Sequence, residues 1–325
     1  MGRRRVFISV VTGLATVALV VLIPRVVGAT WNEVGGILGR LTPGDLIALT
    51  VIWIAGLWAH TYALAASLPG LTNRRALTLS LTGSAVANVL PLGGAAGTGL
   101  NFTMIRGWGF SAGAFSGFIA VTTLLNIVSK LAVIAGALAL IPWLHSASAF
   151  GPASLLFIPV PVVVALMIWV LARESAAGKV GAALGRVVPR LRLTDRLPAV
   201  RRTILDVLRG GWRPMTGGMV GYLALQLALL WLCFALVGAP LAMPVLFTAL
   251  AVERLLTLVP ITPGSAGVVE VGTTAALVAL GGAPASVAAG LLLFRGFTYL
   301  LEIPVGGVLL AGWLFSRRAT REAVS

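Results

Sequence analysis

Six ionisable side chains lie within apolar stretches of this sequence, and they are the residues best suited to bind ions or carry protons. They are Lys130, Glu253, Arg254, Glu270, Arg295 and Glu302. A charge inside an apolar helix is costly, so it tends to be paired, to face a cavity and to serve a function. Two interpretations are open. Either the arginines bind an anionic headgroup while the carboxylates balance them or carry protons, or all six form ion pairs that only hold helices together.

The spacing of these residues suggests which of them act together. Arg295, Tyr299 and Glu302 are four and three residues apart, which places them on one face of an α-helix. Glu253 and Arg254 precede a segment rich in proline and glycine, and Glu270 follows it. We therefore take one set as the candidate substrate-binding residues: Glu253, Arg254, Glu270, Arg295, Tyr299 and Glu302.

The elements that must position these residues are membrane helices. Of the 325 residues, 58% are hydrophobic and 10% are charged, and the mean hydropathy is +1.02, whereas soluble domains carry about 25% charged residues. The apolar residues form runs of roughly 20, the length that crosses about 30 Å of hydrocarbon. The composition predicts an all-α polytopic membrane protein in which residues 1–325 form one integral domain. The predicted spans are 6–27, 45–68, 112–141, 153–172, 217–238 and 284–315.

Two further apolar runs, 76–105 and 244–281, are interrupted by proline and glycine. The residues at the breaks are Pro91, Gly94 and Gly97 in the first run, and Pro260, Pro263, Gly264 and Gly267 in the second. Proline removes a backbone donor, and irregular backbone at membrane depth must be buried in protein or line a cavity. We predict that each run is a re-entrant helical hairpin. The alternative is a pair of kinked, packed helices.

The positions of the basic residues predict the orientation, because short cytoplasmic loops carry an excess of Lys and Arg. Arg3 to Arg5, Arg75, Arg106, the segment 173–214 and the basic tail are predicted to be cytoplasmic, and so are both termini. Arg25 and Arg40 depart from this pattern. The hairpins then enter from opposite sides, and the halves 6–141 and 153–315 form an inverted repeat, an architecture of secondary transporters. Segment 173–214 is predicted to be a surface-lying helix pair.

The first apolar run, preceded by Arg3 to Arg5, has two interpretations. A cleaved signal peptide is one, and an uncleaved first helix is the one we favour, because the run is long and the repeat needs it. The net charge of +15 is assigned to lipid headgroups and not to nucleic acid, because the basic residues lie in short segments between apolar runs.

Signals for catalysis or a cofactor are missing from the sequence. His60 and His145 are far apart and lack carboxylate neighbours, and Cys233 is the one cysteine, so a metal centre is not expected. The glycines after Pro91 follow no strand and precede no Lys-Ser/Thr pair, so they form no nucleotide loop. We expect no cofactor and no enzymatic activity.

The second hairpin carries a resemblance to a known family. The segment 253–270, which reads ERLLTLVPITPGSAGVVE, and the later segment 293–299, which reads LFRGFTY, resemble the lysylphosphatidylglycerol synthase transmembrane family. This flippase-like membrane domain is found alone or fused to a soluble lipid-aminoacylating domain. The first hairpin departs from the pattern, because Thr98, Leu100 and Asn101 stand where many members carry an acidic residue.

The resemblance implies movement of phospholipids, or of lipids with modified headgroups, between leaflets, and it does not imply their synthesis. We therefore expect a lipid translocase in the inner membrane of a bacterial cell. Its expected partners are membrane lipids, above all anionic ones, with a separately encoded lipid-modifying enzyme as a further candidate. The alternatives are a proton-coupled secondary transporter of a small solute and a structural or accessory membrane protein.

Overall fold

The computed structural model describes residues 28–90, 93–140, 169, 173–187, 193–257 and 262–322, and every regular element within them is helical. The helices are α1 (Trp31–Leu38), α2 (Pro43–Ala66), α3 (Asn73–Val89), α4 (Gly93–Gly107), α5 (Ala112–Leu140), α6 (Glu174–Val187), α7 (Leu193–Leu236), α8 (Met243–Leu256), α9 (Val268–Ala279), α10 (Pro284–Arg295) and α11 (Glu302–Glu322). A short 3₁₀ turn, Pro263–Ser265, lies between α8 and α9, and a π turn, Gly296–Leu300, joins α10 to α11.

Four helical stretches in the described residues are long and apolar enough to cross a membrane: Pro43–Ala66, Ala112–Leu140, Arg209–Leu236 and Pro284–Arg317. They coincide with four of the six spans that the sequence predicts. The other two predicted spans, 6–27 and 153–172, lie outside the described residues apart from Trp169, and so does the question of a cleaved first helix. The fold is that of a helical membrane protein.

The outer face of α2 shows what surrounds the molecule. Ile47, Val51 and Ile54 are more than half exposed, and Trp58 and Tyr62 continue the same stripe. Their spacing of four, three, four and four residues follows one face of an α-helix. A continuous exposed apolar stripe is unsuited to water and suited to lipid, so α2 presents this face to the membrane.

Local sequence signals set the starts of the first two helices. Thr42 caps α2, where its backbone N–H donates to the Asp45 carboxylate at 2.8 Å and its hydroxyl accepts from the Asp45 N–H. Thr30 and Glu33 make the same reciprocal pair at the start of α1. The backbone N–H of Thr30 lowers the pKa of Glu33, since it stabilises the carboxylate form.

Helix α7 has 44 residues and is therefore about 66 Å long. Its C-terminal part, Arg209–Leu236, is apolar enough to span a membrane. The whole helix is about twice as long as the roughly 30 Å hydrocarbon core is thick, so its N-terminal part must extend beyond that core. The predicted helix pair in 173–214 corresponds to α6 and the first part of α7. The sequence divided 173–214 from the span 217–238, whereas in the structure a single helix joins them.

Small residues allow the helices to pack closely, as they do in other membrane proteins. A Cβ built on Gly218 of α7 would lie 2.7 Å from the backbone nitrogen of Ala63 in α2. Likewise Gly306 of α11 leaves no room for a Cβ against the backbone of Leu81 in α3. The main apolar core lies between α7, α8 and α10, where Phe234, Leu246 and Phe294 are buried.

Helices α3 and α4 run back along each other from the break near residue 91. Near the break Gly97 of α4 meets the carbonyl of Gly83 in α3, which a Cβ on Gly97 would approach to 2.7 Å. At the far end the Arg75 guanidinium lies over the Trp108 ring, 5.2 Å from its centroid. The first residues of α3 and the segment that follows α4 therefore lie at the same end of the molecule.

Candidate functional site

A polar cavity of about 280 Å³ lies inside the bundle. Its wall is formed by α2, α3, α5, α7, α8, α10 and α11 together with the π turn. Five charged side chains line it: Lys130, Glu253, Arg254, Arg295 and Glu302. Four of these are candidate residues from the sequence, and Lys130 is the buried charge that the candidate set left out. Charges this deep among apolar helices need partners, which the wall itself supplies.

Arg295 and Glu270 form the tightest ion pair of the site. Arg295 Nε donates to Glu270 Oε1 at 2.6 Å, and the two side chains are 9% and 4% exposed. The other carboxylate oxygen of Glu270 accepts from the backbone N–H of Gly267 at 2.5 Å. Glu270 is in the first turn of α9, where the unpaired N–H groups of a helix favour a negative charge. Glu270 thus fixes Arg295 to the start of α9 from behind the cavity wall.

Glu253 lies between two arginines on the other side of this pair. Its Oε1 is 3.9 Å from an Arg295 nitrogen, and its Oε2 is 3.3 Å from Arg254 Nε. All three side chains are largely buried. Buried charges in this arrangement are strongly coupled, because removing one leaves another unpaired in a medium of low dielectric constant.

The second break positions Arg295 through its backbone. Gly264 and Gly267 have positive φ values of 56° and 84°, and Ser265, which is not glycine, has a φ of 55°. Glycine adopts this left-handed region without steric cost. The turn directs the carbonyl of Gly264 toward Arg295, whose NH2 group donates to it at 3.4 Å. Pro263 begins the 3₁₀ turn, and Pro260 lies outside the described residues.

The two breaks are in contact with each other. Tyr299 in the π turn donates its hydroxyl to the carbonyl of Asn88 at 2.8 Å, and Asn88 Nδ2 donates to the carbonyl of Tyr299 at 3.3 Å. A Cβ on Gly264 would clash with the Tyr299 ring and with Asn88 Oδ1. The end of α3, just before the first break, is therefore fixed against the turn of the second.

Tyr299 also lies against Arg295, whose guanidinium carbon is 4.8 Å from the ring centroid. The spacing of Arg295, Tyr299 and Glu302 predicted an uninterrupted α-helix from Arg295 to Glu302, but a π turn intervenes. The Leu301 N–H donates to the carbonyl of Gly296, five residues back. Turns of this kind are frequent at functional sites. Arg295 and Glu302 nevertheless line the same cavity.

An open cleft of about 270 Å³ lies over the first break. Gly94, Gly97 and Asn101 line it together with Ser80 and Ser84, and these two serines also line the polar cavity. The cleft and the cavity are therefore neighbours that share a wall. Gly94 has open space around it and Gly97 packs against Gly83. Pro91 lies outside the described residues.

Several cavity residues escaped the sequence argument because they are polar but unremarkable in sequence. His60 on α2 stacks on Tyr222 of α7, with ring centroids 4.6 Å apart. The Tyr222 hydroxyl accepts from Gln226 Nε2 at 2.7 Å. Lys130 Nζ donates to Thr257 Oγ1 at 3.0 Å. Lys130 was identified from the sequence as a charge in an apolar run but was left out of the substrate-binding set, whereas the roles of His60, Tyr222 and Gln226 required knowledge of how the helices pack.

The fold and the cavity define a multi-pass helical membrane protein with a charged internal site. The family model of the lysylphosphatidylglycerol synthase TM region matches residues 6–306. The chain belongs to this family, whose membrane domains are associated with lipid modification and flipping, as the resemblance of the segments 253–270 and 293–299 indicated. Comparison with curated proteins and with solved structures found no significant match.

Proposed function

We propose that this protein moves lipids between the leaflets of the bacterial inner membrane, and that the lipid headgroup passes through the polar cavity while the acyl chains remain in the bilayer. The observation that carries the proposal is a cavity of about 280 Å³ with charges of both signs inside helices whose outer faces are apolar. A headgroup cannot cross hydrocarbon cheaply, because its polar groups lose their hydration. The cavity wall offers replacement partners.

The contacts of the candidate residues favour different roles for them. Arg295 is held by Glu270 and by the Gly264 carbonyl, so we assign it to fixing the second hairpin. Arg254 and Lys130 face the cavity with fewer partners, and we assign them to the phosphate group of an anionic lipid. Glu253 and Glu302 supply counter-charges.

We also propose that the chain has six spans and two re-entrant hairpins in an inverted repeat, with both termini cytoplasmic. The helices of the two hairpins are short: α3, α4, α8 and α9 have 17, 15, 14 and 12 residues. Their lengths of about 18 to 25 Å are less than the roughly 30 Å of a hydrocarbon core. The contact of Arg75 with Trp108 at one end of the first pair supports the same arrangement.

Cysteine labelling tests this topology, because the one natural cysteine, Cys233, is buried. Thr72→Cys and Ser111→Cys flank the first hairpin, and Ala242→Cys and Ala283→Cys flank the second; all four positions are exposed. In sealed vesicles of one orientation, an impermeant maleimide should label the first two from the cytoplasmic side and the last two from the opposite side. Labelling of Thr72→Cys and Ser111→Cys from opposite sides contradicts the hairpin.

Leaflet exchange tests the function. Purified protein in liposomes that contain a fluorescent phosphatidylglycerol should accelerate exchange, measured by dithionite quenching, over empty liposomes. Arg254→Gln should reduce the rate strongly, since it removes a cavity cation. Arg213→Gln is the matched control, because Arg213 is exposed and lies over Trp212, away from the cavity. The rate of the control should equal that of the unaltered protein.

The same preparation separates the proposal from its rivals. Absence of exchange for every anionic or aminoacylated lipid, with monodisperse protein, contradicts lipid translocation. Uptake of a soluble solute that depends on a pH gradient, without lipid exchange, favours the proton-coupled solute transporter, for which the cavity carboxylates Glu253 and Glu302 are suited. Exchange that is unaffected when Lys130 and Arg254 are both neutralised favours a purely structural role for the buried charges.

A further inference from the structure

The charges in and behind the cavity wall balance one another. The cations are Lys130, Arg254 and Arg295, and the carboxylates are Glu253, Glu270 and Glu302. With all six ionised the site is neutral. An added phosphate group, which carries one negative charge as a diester, therefore leaves one charge uncompensated in a region of low dielectric constant, where such an excess is costly.

Glu302 differs from the other two carboxylates. Glu270 has Arg295 at 2.6 Å, and Glu253 has Arg254 at 3.3 Å and Arg295 at 3.9 Å. Among the described residues, no Lys or Arg nitrogen lies within 4 Å of the Glu302 carboxylate. The Ser84 hydroxyl of α3 lies beside it. Glu302 is therefore the carboxylate whose loss of charge breaks no ion pair.

The cations, like the carboxylates, differ in whether their partners are charged. Arg295 has a carboxylate and a backbone carbonyl as hydrogen-bond acceptors. The hydrogen bond that Lys130 Nζ makes is with the neutral hydroxyl of Thr257, which in turn donates to the backbone carbonyl of Arg254 at 2.8 Å. Thr257 thus places Lys130 of α5 next to Arg254 of α8. Two cations that face one cavity from different helices suit an anionic oxygen group.

We propose, on the basis of the lipid translocase function above, that the cavity binds one anionic phosphate group at Lys130 and Arg254 together with one proton at Glu302. The proton comes from the aqueous phase and adds to the Glu302 carboxylate. The positive charge that it brings offsets the charge of the phosphate, so the loaded site is again neutral. The ligand class is a phosphodiester monoanion, and the proton is its co-ligand.

Other ionisable groups face Glu302 from the neighbouring helices. They are His60 on α2, Lys130 on α5, Tyr222 on α7, Glu253 and Arg254 on α8, and Arg295 on α10. Helix α3 contributes the neutral hydroxyls of Ser80 and Ser84. Because histidine is the side chain type whose charge ordinarily changes near neutral pH in water, the test must distinguish His60 from Glu302.

The first measurement is the leaflet exchange of fluorescent phosphatidylglycerol between about pH 6 and about pH 8. The rate should rise as the pH falls, by up to about tenfold per unit where Glu302 is mostly ionised. Glu302→Gln has the shape of the protonated form, so its rate should be independent of pH. His60→Asn should retain the pH dependence. Asp206→Asn, an exposed acidic position in α7, is the matched control and should behave as the unaltered protein.

The second measurement requires no transport and covers the case in which a variant is inactive. Calorimetry with a short-chain phosphatidylglycerol, in buffers of different ionisation enthalpy, gives the number of protons taken up per lipid bound. We expect close to one proton for the unaltered protein and none for Glu302→Gln. Lys130→Gln should weaken binding of this lipid more than binding of a short-chain phosphatidylcholine, whose headgroup carries its own positive charge.

The outcomes separate this inference from the function on which it rests. Exchange that occurs at the same rate at every pH, or lipid binding without proton uptake, overturns the co-ligand proposal and leaves the translocase intact. Proton uptake that persists in Glu302→Gln assigns the proton to another group and also overturns it. Binding with proton uptake but without exchange supports the site and contradicts translocation.

Discussion

The Glu270–Arg295 pair gives a quantitative test of how the start of α9 is held against α10. Removing one partner of a buried ion pair costs about 3 to 5 kcal/mol, because the other charge remains buried and unpaired. Here Arg295 retains Glu253 at 3.9 Å, and Glu270 retains the Gly267 N–H. We therefore expect Arg295→Gln and Glu270→Gln each to lower the free energy of unfolding by about 3 kcal/mol, the lower end of that range.

The double variant should cost less than the sum of the two single variants, because the second substitution removes the charge that the first left unpaired. We expect a coupling energy of at least about 1.5 kcal/mol. The assay is unfolding in mixed micelles by added sodium dodecyl sulfate, followed by the fluorescence of the nine tryptophans.

The exposed pair Asp206–Arg209 is the control for this cycle. Its charged groups are 3.6 Å apart, and the Asp206 and Arg209 side chains are 72% and 78% exposed. An exposed pair in water gains little, so its coupling energy should stay below about 0.5 kcal/mol. A coupling energy for Glu270 and Arg295 as small as that of the control would refute the reasoning, because the pair would then contribute no more than a solvated contact.

Two further predictions concern the packing around the site. Gly306→Ala should destabilise the protein by about 1 to 3 kcal/mol, because the new methyl group meets the backbone of Leu81. Gly307→Ala is the control and should be neutral, because a methyl group there meets nothing within 4 Å. Equal melting temperatures for the two variants contradict the proposed contact. Tyr299→Phe should lower the free energy of unfolding by about 1 kcal/mol, because it removes the hydrogen bond to the Asn88 carbonyl. An unchanged free energy of unfolding in sodium dodecyl sulfate contradicts this prediction.

Hydrophobic run length was sufficient to predict the long spans. The predicted runs 45–68, 112–141 and 284–315 agree with Pro43–Ala66, Ala112–Leu140 and Pro284–Arg317 to within two residues at every end. The 44-residue length of α7 was not predictable in the same way. A basic, half-polar helix at a membrane surface has no hydrophobic run to reveal that it continues into a span.

The sequence identified the charged residues of the candidate site better than it identified the contacts between them. The charges at 253, 254, 270, 295 and 302 were identifiable because charge in an apolar run is rare. Their pairing was not identifiable. Which of Glu253, Glu270 and Glu302 pairs with Arg295 depends on the turn at Gly264 and on the π turn after Arg295. Neither turn has a periodic sequence signal, and both depend on how α8 to α11 pack.

The π turn at Gly296–Leu300 has a consequence for the whole C-terminal helix. Arg295 and Gly306 are eleven residues apart, and an uninterrupted α-helix, which rotates about 100° per residue, would point them within about 20° of each other. Instead Arg295 contacts Glu270 at the start of α9, and Gly306 contacts Leu81 on α3. The π turn holds about one residue more than a regular α-helical turn. It therefore rotates the directions in which Arg295 and Gly306 point, relative to each other, by about 100°. Deleting one residue here would restore regular hydrogen bonding but would rotate either the ion pair or the glycine contact away from its partner. The length of this segment is therefore as constrained as its composition.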